Sequence, residues 1–296
     1  MSPGKYTITQ YRENPLAMSY LNQNIRQFYD ASTSLWEKVW GEHMHHGYYG
    51  INGDVKKDHL QAQVDLIEEL LRWGNVTGAK YILDVGCGIG GSARYLAKKF
   101  GAEVVGITLS PVQAERAKTL TRASEVSQPL LFMVEDALTP SFPPASFDLI
   151  WSLESAEHIP RKSRLLYNWF TLLKPGGKVL MATWCHRPIP PELTASEQQF
   201  LERIYSAYQL PPLISLEMYG ALMEDIGFTE VETADWSKAV APFWNAVFKS
   251  TLNPVNWIRI LRSGKITRQG VKTIRQMKQG YKSGLIRFGV VQGVKK

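Results

Sequence analysis

Eight residues, Asp84-Val85-Gly86-Cys87-Gly88-Ile89-Gly90-Gly91, set a carboxylate and four glycines at the end of an apolar run. Without side chains, the chain can turn sharply there and a ligand can press against bare peptide. A helix opening near Ser92 would aim its N-terminal amides at the same place. Asp84, just before the first glycine, is placed to receive a cationic amino group. A second set, Glu154, Glu157 and His158, gathers two carboxylates and an imidazole within five positions, which is a group able to take up a proton.

A glycine loop alone is ambiguous, because dinucleotide-binding folds use a related spacing. The next apolar segment, Val104-Val105-Gly106-Ile107-Thr108-Leu109-Ser110, ends without the acidic residue such folds use on a ribose. A ligand with an ammonium group near the loop and no pyrophosphate fits better, so S-adenosylmethionine is the expected cofactor.

These groups need elements to hold them. Apolar residues at helical intervals predict helices over 16–40 and 56–73, the second ending at Gly74. Strands and helices then alternate: strand 81–85 and helix 92–100, strand 103–108 and helix 111–124, strand 130–137, strand 147–152 and helix 162–173. Lys174-Pro175-Gly176-Gly177 reads as a turn launching a strand over 178–184. Helices around 194–208 and 215–226 and strands over 229–234 and 286–291 follow, with some fifty residues inserted between the last two strands. The alternation predicts an α/β fold with a parallel sheet and right-handed crossovers, whose carboxyl edge would collect the glycine loop, Asp136 and the 154–158 segment. Asp136 can accept from an adenine amino group or cap its own backbone.

Length and an apolar content of 44% allow one substantial core. With only Cys87 and Cys185 there is no disulfide framework, and a reducing compartment is expected. Met1-Ser2-Pro3-Gly4-Lys5-Tyr6 lacks a secretory pattern, and no apolar run approaches the ~20 residues of a membrane span. The expected location is the cytoplasm, with peripheral contact on a photosynthetic or plasma membrane. The net charge of +7 is unevenly spread: 236–296 holds thirteen Lys and Arg and no acid, leaving 21 basic against 27 acidic residues elsewhere. Such a stretch can meet an anionic membrane; it contains no nucleic-acid module, so no nucleic-acid partner is expected. His43, His45 and His46 have no carboxylate or cysteine at a usual zinc spacing, and adjacent histidines project differently, so a lid over a small molecule is expected there rather than a metal.

The order of glycine loop, acid-free second strand, Asp136-Ala137, Phe147-Asp148-Leu149-Ile150-Trp151-Ser152 and Leu173-Lys174-Pro175-Gly176-Gly177-Lys178 resembles the class I S-adenosylmethionine-dependent methyltransferases. That resemblance implies a Rossmann-like seven-stranded mixed sheet with an antiparallel final strand. A narrower one rests on Phe28-Tyr29-Asp30, Leu35-Trp36, Val39-Trp40-Gly41-Glu42-His43-Met44-His45-His46-Gly47-Tyr48, Ala234-Asp235-Trp236-Ser237, Val240-Ala241-Pro242-Phe243-Trp244, Leu261-Arg262-Ser263-Gly264 and Gly280-Tyr281-Lys282-Ser283-Gly284-Leu285-Ile286. In these the chain is similar to the γ-tocopherol methyltransferases, which methylate a chromanol ring in vitamin E synthesis. Plant indole-alkaloid N-methyltransferases resemble the same family, so an amine acceptor, or another lipophilic phenol or a lipid, is the alternative; a protein that only binds S-adenosylmethionine or nucleic acid is the non-enzymatic one. The organisation implied is a helical cap and lid over 1–75, a cofactor-binding core over 76–185, and over 186–296 the rest of the sheet with a substrate-cap insertion, all in one compact domain.

The resemblance implies roles. Asp84, Gly86 and Gly88 would surround the methionine end of the cofactor, Asp136 and Ala137 the adenine, and Leu109 would pack on the base. Thr108 and Gln113 would serve the ribose, as in the cyclopropane synthase type of this fold. Ser152 would line the site, while Trp40, His46 and Tyr48 would close over it. Trp184, Tyr208, Tyr219, Phe243 and Trp244 would form an aromatic wall for a lipophilic acceptor. Methylating a ring carbon ortho to a phenol of pKa ~10 benefits from a base. His158 is the first candidate, with Glu154 and Glu157 as alternatives.

Overall fold

Apolar runs such as Ile82-Leu83 and Leu149-Ile150-Trp151 are buried with little alternation because their strands are covered on both faces. The computed structural model describes residues 15–251 and 265–296, with side chains over 18–246 and 273–296. Seven strands make one sheet in the order β3-β2-β1-β4-β5-β7-β6: β1 (Tyr81–Val85), β2 (Glu103–Thr108), β3 (Leu130–Val134), β4 (Phe147–Leu153), β5 (Leu173–His186), β6 (Thr229–Asp235) and β7 (Ile286–Val294). The first five are parallel, and β7 runs antiparallel between β5 and β6. This is the mixed sheet expected of the class I methyltransferases.

Helix α1 (Pro15–Trp40) precedes the sheet, as does α2 (His59–Trp73), which starts where Asp58 accepts from the amide of Leu60 at 2.9 Å. Around the sheet run α3 (Gly91–Phe100), α4 (Pro111–Arg122), α5 (Lys162–Leu172), α6 (Ala195–Tyr208) and α7 (Leu216–Ile226). The inserted segment between β6 and β7 contributes α8 (Ser237–Val240), α9 (Pro242–Thr251) and α10 (Lys265–Ser283). On one face Leu66, Ile67 and Leu70 of α2 and Leu96 of α3 pack toward Ile82, Leu149 and Leu180; on the other, Leu165 and Trp169 of α5 and Tyr219 and Met223 of α7 pack toward Leu83, Ile150 and Val179. Each such side chain contributes about 1.5–3 kcal/mol on burial.

Two boundaries differ from the sequence expectation. β3 stops at Val134, because Asp136 Oδ1 accepts from the amide of Leu138 at 2.9 Å and turns the chain, so Asp136 and Ala137 lie in the loop. The Lys174–Gly177 turn is absorbed into β5 as an irregularity, pairing Phe147 with Leu173 and then Leu149 with Lys178. The motif Leu261-Arg262-Ser263-Gly264 and residues 1–14 lie outside the described residues.

Candidate functional site

Strand order reverses between β1 and β4, so the loops leaving them diverge and open a crevice at the carboxyl edge. The loop after β1 is anchored by the amides of Gly86 and Cys87, which donate to the carbonyl of Ile107 at 2.9 and 3.0 Å. Gly86 has φ +78°, and a Cβ there would lie 2.1 Å from that of Ser155, so no other residue fits. Gly88 has φ +53° and faces open space, the cradle a ligand pressed on backbone needs. Asp84 is 2% exposed. It accepts from the amide of Ala93, its Oδ2 has no partner, and burial pushes its carboxyl up to about 7. A buried carboxylate oxygen without a donor, beside bare peptide, fits a cationic ligand such as the ammonium group of S-adenosylmethionine.

The cavity over this loop is also lined by Gly86, Thr108, Leu109, Gln113, Asp136 and Ala137. Thr108 Oγ1 donates to Gln113 Oε1 at 2.8 Å, fixing both at the end of β2. Asp136 performs the backbone capping weighed for it and still borders the cavity, its Oδ2 accepting from Asn22 Nδ2 at 2.7 Å.

Asn22 belongs to a stripe that sequence reasoning missed. Asn22, Tyr29 and Asp30 of α1 lie across the sheet's edge and grip Asp136, His158 and Ser110 in turn. Polar residues at helical spacing beside the buried Ile25 and Phe28 were the signal available. Arg94, 6% exposed, was missed too. It donates to the carbonyl of Ile89 at 2.8 Å and pairs with Glu42 at 2.7 Å, tying the glycine loop to the lid.

The lid itself differs from expectation. The three histidines diverge: His43, Met44 and His45 cover the cavity, while His46 turns away and gives its Nδ1 to Glu154 at 2.7 Å. Trp40 and His46 line a second cavity instead, and Tyr48 lines neither, packing on Trp236 and donating to Glu69 at 3.3 Å. The cause is the buried Gln63 of α2, whose amide donates to the carbonyls of His43 and His45 and so draws those residues over the loop. Ser152 is fully buried, its hydroxyl 2.8 Å from that of Ser155, and does not face the cavity.

The second cavity is walled by Trp184, Tyr208, Phe243 and Trp244, with Phe28, Trp36, Trp40 and Ile274. Trp184 meets Tyr208 edge to face at 5.5 Å, and Phe243 meets His46 at 4.3 Å. Tyr219 is not part of it; α7 buries that side chain on the opposite face, in the core with Leu216 and Met223. The two cavities share five residues: Tyr29, Met44, His45, Glu154 and His158.

At this junction the proton-handling groups are engaged. Glu154 has φ +54°, and its carboxylate accepts from His46 N at 2.6 Å, His46 Nδ1 at 2.7 Å and Trp184 Nε1 at 3.2 Å. Burial raises its pKa, but the histidines at 46 and 45 together more than offset this, and the net shift is downward. Glu157 accepts from Thr183 at 2.9 Å and is raised by burial, then by Glu154. His158 Nε2 lies 2.7 Å from Tyr29 Oη; burial lowers the imidazole to about 3 and strongly raises the tyrosine. The buried Lys162 holds the 156–158 turn through the carbonyls of Ala156, at 2.6 Å, and Glu157, at 3.1 Å.

His43 is likewise lowered to about 3, chiefly by burial. A histidine depressed below its unfolded value of ~6.5 contributes stability above that pH and loses it as pH falls toward 3. Asp84 and Glu157 are shifted the other way and act in the opposite sense, so the readable quantity is a difference between variants. In urea unfolding between these limits, His43→Gln is expected to make the slope of stability against pH less positive by up to about 1.4 kcal/mol per pH unit relative to wild type. Parallel slopes would place the imidazole in water.

Residues 83–181 match a family model described as a methyltransferase domain. Over 283 residues the chain is 42% identical to the chloroplastic tocopherol O-methyltransferase of Arabidopsis thaliana, covering 92% of this chain and 81% of that protein. It is 34% identical to the 2-methyl-6-phytyl-1,4-hydroquinone methyltransferase of Synechocystis, covering 93% and 88%. The norajmaline N-methyltransferase of Rauvolfia serpentina is 27% identical over 92% of this chain and 97% of its own. Among solved structures, a cyclopropane synthase from Mycobacterium tuberculosis superposes with a TM-score of 0.80 over 93% of this chain and 98% of that one, at 18% identity, a likeness of fold.

Proposed function

The chain belongs to the tocopherol O-methyltransferase family, and on that premise we propose that it methylates a chromanol ring carbon, converting γ-tocopherol to α-tocopherol and δ- to β-tocopherol in vitamin E synthesis. The methyl donor is S-adenosylmethionine, which supplies an electrophilic carbon on a sulfonium. The observation that carries the acceptor reading is the pairing of two cavities, one over the glycine loop and one walled by aromatic rings, that meet at five residues. Relatives named for tocopherol and for a phytylated hydroquinone support a prenylated phenol in the second.

In this reading Asp84 receives the donor's ammonium, the peptides of Gly86 and Gly88 lie along its methionine end, and Thr108, Leu109, Gln113, Asp136 and Ala137 surround its nucleoside. Trp184, Tyr208, Phe243 and Trp244 clamp the flat chromanol head. His43, Met44 and His45 exclude water from the junction. Alignment and dryness are the protein's main contribution to a displacement of this kind. Incubating the purified protein and donor with γ-tocopherol, δ-tocopherol and an indole-alkaloid amine tests the acceptor. S-adenosylhomocysteine should form with the chromanols; formation with the amine alone would replace this reading by the N-methyl one.

Tyr29 and His158 orient the acceptor as a unit. Removing one hydrogen-bonding partner disables the other, so Tyr29→Phe and His158→Ala should each lower kcat about tenfold or more with donor affinity unchanged, and the double variant should be no worse than the poorer single one. Additive losses would show that the residues act separately.

A lipid-soluble acceptor reaches the enzyme from a membrane, and the basic stretch over 236–296 is proposed to dock there, each Lys or Arg near an anionic surface contributing about 1 kcal/mol. The side chains of Lys249, Arg259, Arg262, Lys265, Arg268 and Lys272 lie outside the described residues, and no helix among the described ones is long and apolar enough to cross a membrane. Co-sedimentation with anionic vesicles should be strong at low salt and lost at high salt; no binding at low salt would remove this proposal.

A further inference from the structure

A base for the acceptor's hydroxyl has to reach the junction between the two cavities, and only five residues border both among those described. Met44 cannot take a proton. Glu154 already accepts three hydrogen bonds. Tyr29 and His158 face each other at 2.7 Å, so Nε2 of that histidine is engaged whichever partner carries the hydrogen; its buried Nδ1 makes no close hydrogen bond, but the Gln209 backbone favours a hydrogen there and not a free lone pair. His45 remains.

The position of its proton follows from its partner. His45 Nδ1 lies 2.7 Å from the carbonyl oxygen of His46. A carbonyl only accepts, so Nδ1 carries the hydrogen, and Nε2 of the neutral ring is a bare lone pair. That Nε2 is buried without a protein partner, in a side chain 6% exposed. An acceptor left unpaired in this way costs about 1–3 kcal/mol, a cost that a ligand hydroxyl would relieve. His43 Nδ1 is also unpartnered, but His43 borders the donor cavity alone. Gln63 fixes His45 by donating to its carbonyl at 2.9 Å. The carboxylate of Glu154 lies close enough to favour a cationic ring at position 45, against the burial that keeps it neutral at rest.

We propose that His45 is the catalytic base of this methyl transfer, its Nε2 accepting the phenolic proton of the acceptor. The inference rests on the acceptor being a phenol. The O–H bond breaks toward Nε2, and the imidazolium keeps Nδ1–H on the His46 carbonyl. The oxygen's electron pair moves into the ring, whose ortho carbon forms the new C–C bond while the pair of the C–S bond goes to sulfur and leaves a neutral thioether. The ring carbon then loses its hydrogen to solvent, its bonding pair restores aromaticity, and His45 returns its proton to oxygen. One proton is released per methyl transferred.

The test compares wild type with His45→Ala on γ-tocopherol and on a ring-halogenated chromanol acidic enough to be ionised at the assay pH. On the ordinary acceptor the variant should lose about 10²–10⁴ in kcat, the range of general-base contributions, with unchanged S-adenosylhomocysteine affinity by calorimetry. On the acidic acceptor the ratio of wild type to variant should shrink to about tenfold or less, because no proton needs removing. If His45→Ala does not fold, His45→Gln keeps a polar side chain that cannot hold the proton and should behave alike. Equal losses on both acceptors, or near-normal turnover on the ordinary one, would overturn the assignment while leaving the proposed function intact. A wild-type protein inert on both phenols would remove the phenol reading and this inference with it.

Discussion

Asp84→Asn should weaken S-adenosylhomocysteine and S-adenosylmethionine binding by about 30-fold or more, since losing one partner of a buried, hydrogen-bonded charge pair costs about 2–5 kcal/mol. The unliganded fold should not suffer. Asp84 sits with one oxygen on the Ala93 amide and the other unpartnered, and burial raises its carboxyl to about 7. A carboxyl raised above its unfolded value contributes stability below that value and loses it as pH rises through 7, with an upper bound of about 4 kcal/mol for a shift of about three pH units. Asparagine removes that titration. At about pH 8 the variant should therefore unfold at a higher urea concentration than wild type, and the gap should close by about pH 4. Weaker donor binding with a tighter empty fold would mark Asp84 as a carboxylate kept for its ligand. Undiminished donor affinity would place the ammonium elsewhere.

Glu154→Ala should damage both stability and turnover. Glu154 is the hub through which the lid is joined to the sheet: His46 is held by two hydrogen bonds and Trp184 by one, all on a single buried carboxylate. Deleting it leaves three buried donors unpaired, a loss of about 3–5 kcal/mol when a buried pair is broken from one side. Activity should fall by about 100-fold or more, because a misplacement of about 1 Å at the reacting centre has that effect, and the 43–46 amides should exchange hydrogen faster. The left-handed backbone at Glu154 costs of order 1–3 kcal/mol, and such strain persists where surrounding structure enforces it. Glu154→Gln should retain part of the loss-free geometry and recover part of the stability. Full activity in Glu154→Ala would show that the lid closes without this link.

The sheet was legible because its strands are buried on both faces and therefore read as unbroken apolar runs, and because Gly86 stands where no side chain fits and Gly88 holds a left-handed backbone. Residues at strand ends were correspondingly easy to locate. Asp84, Thr108, Leu109, Gln113, Asp136 and Ala137 all border one cavity because they lie at or just beyond the ends of adjacent strands on one edge. The lid was harder. His43, His45 and His46 fall within four positions, and Gln63, reaching from a different helix, holds the first two over the loop while His46 turns to Glu154. Periodicity reports which face of a segment is buried and not what lies opposite it, so Tyr219 and Trp184 read alike although they lie on opposite faces of the sheet. Tyr29 and Asp30 entered only through the family resemblance, and the place of the α1 stripe at the site escaped notice for a related reason: its partners are more than eighty positions away in most cases, and no local pattern records them.

Ring methylation is most directly tested by incubating the purified protein with γ-tocopherol and S-adenosylmethionine labelled in its transferable methyl group, then locating the label by NMR. The expected product carries it on an aromatic carbon beside a free hydroxyl, with one S-adenosylhomocysteine formed per labelled methyl. Label in an aryl ether, or donor consumption without any label on the chromanol, would contradict methyl transfer to ring carbon at the junction of the two cavities.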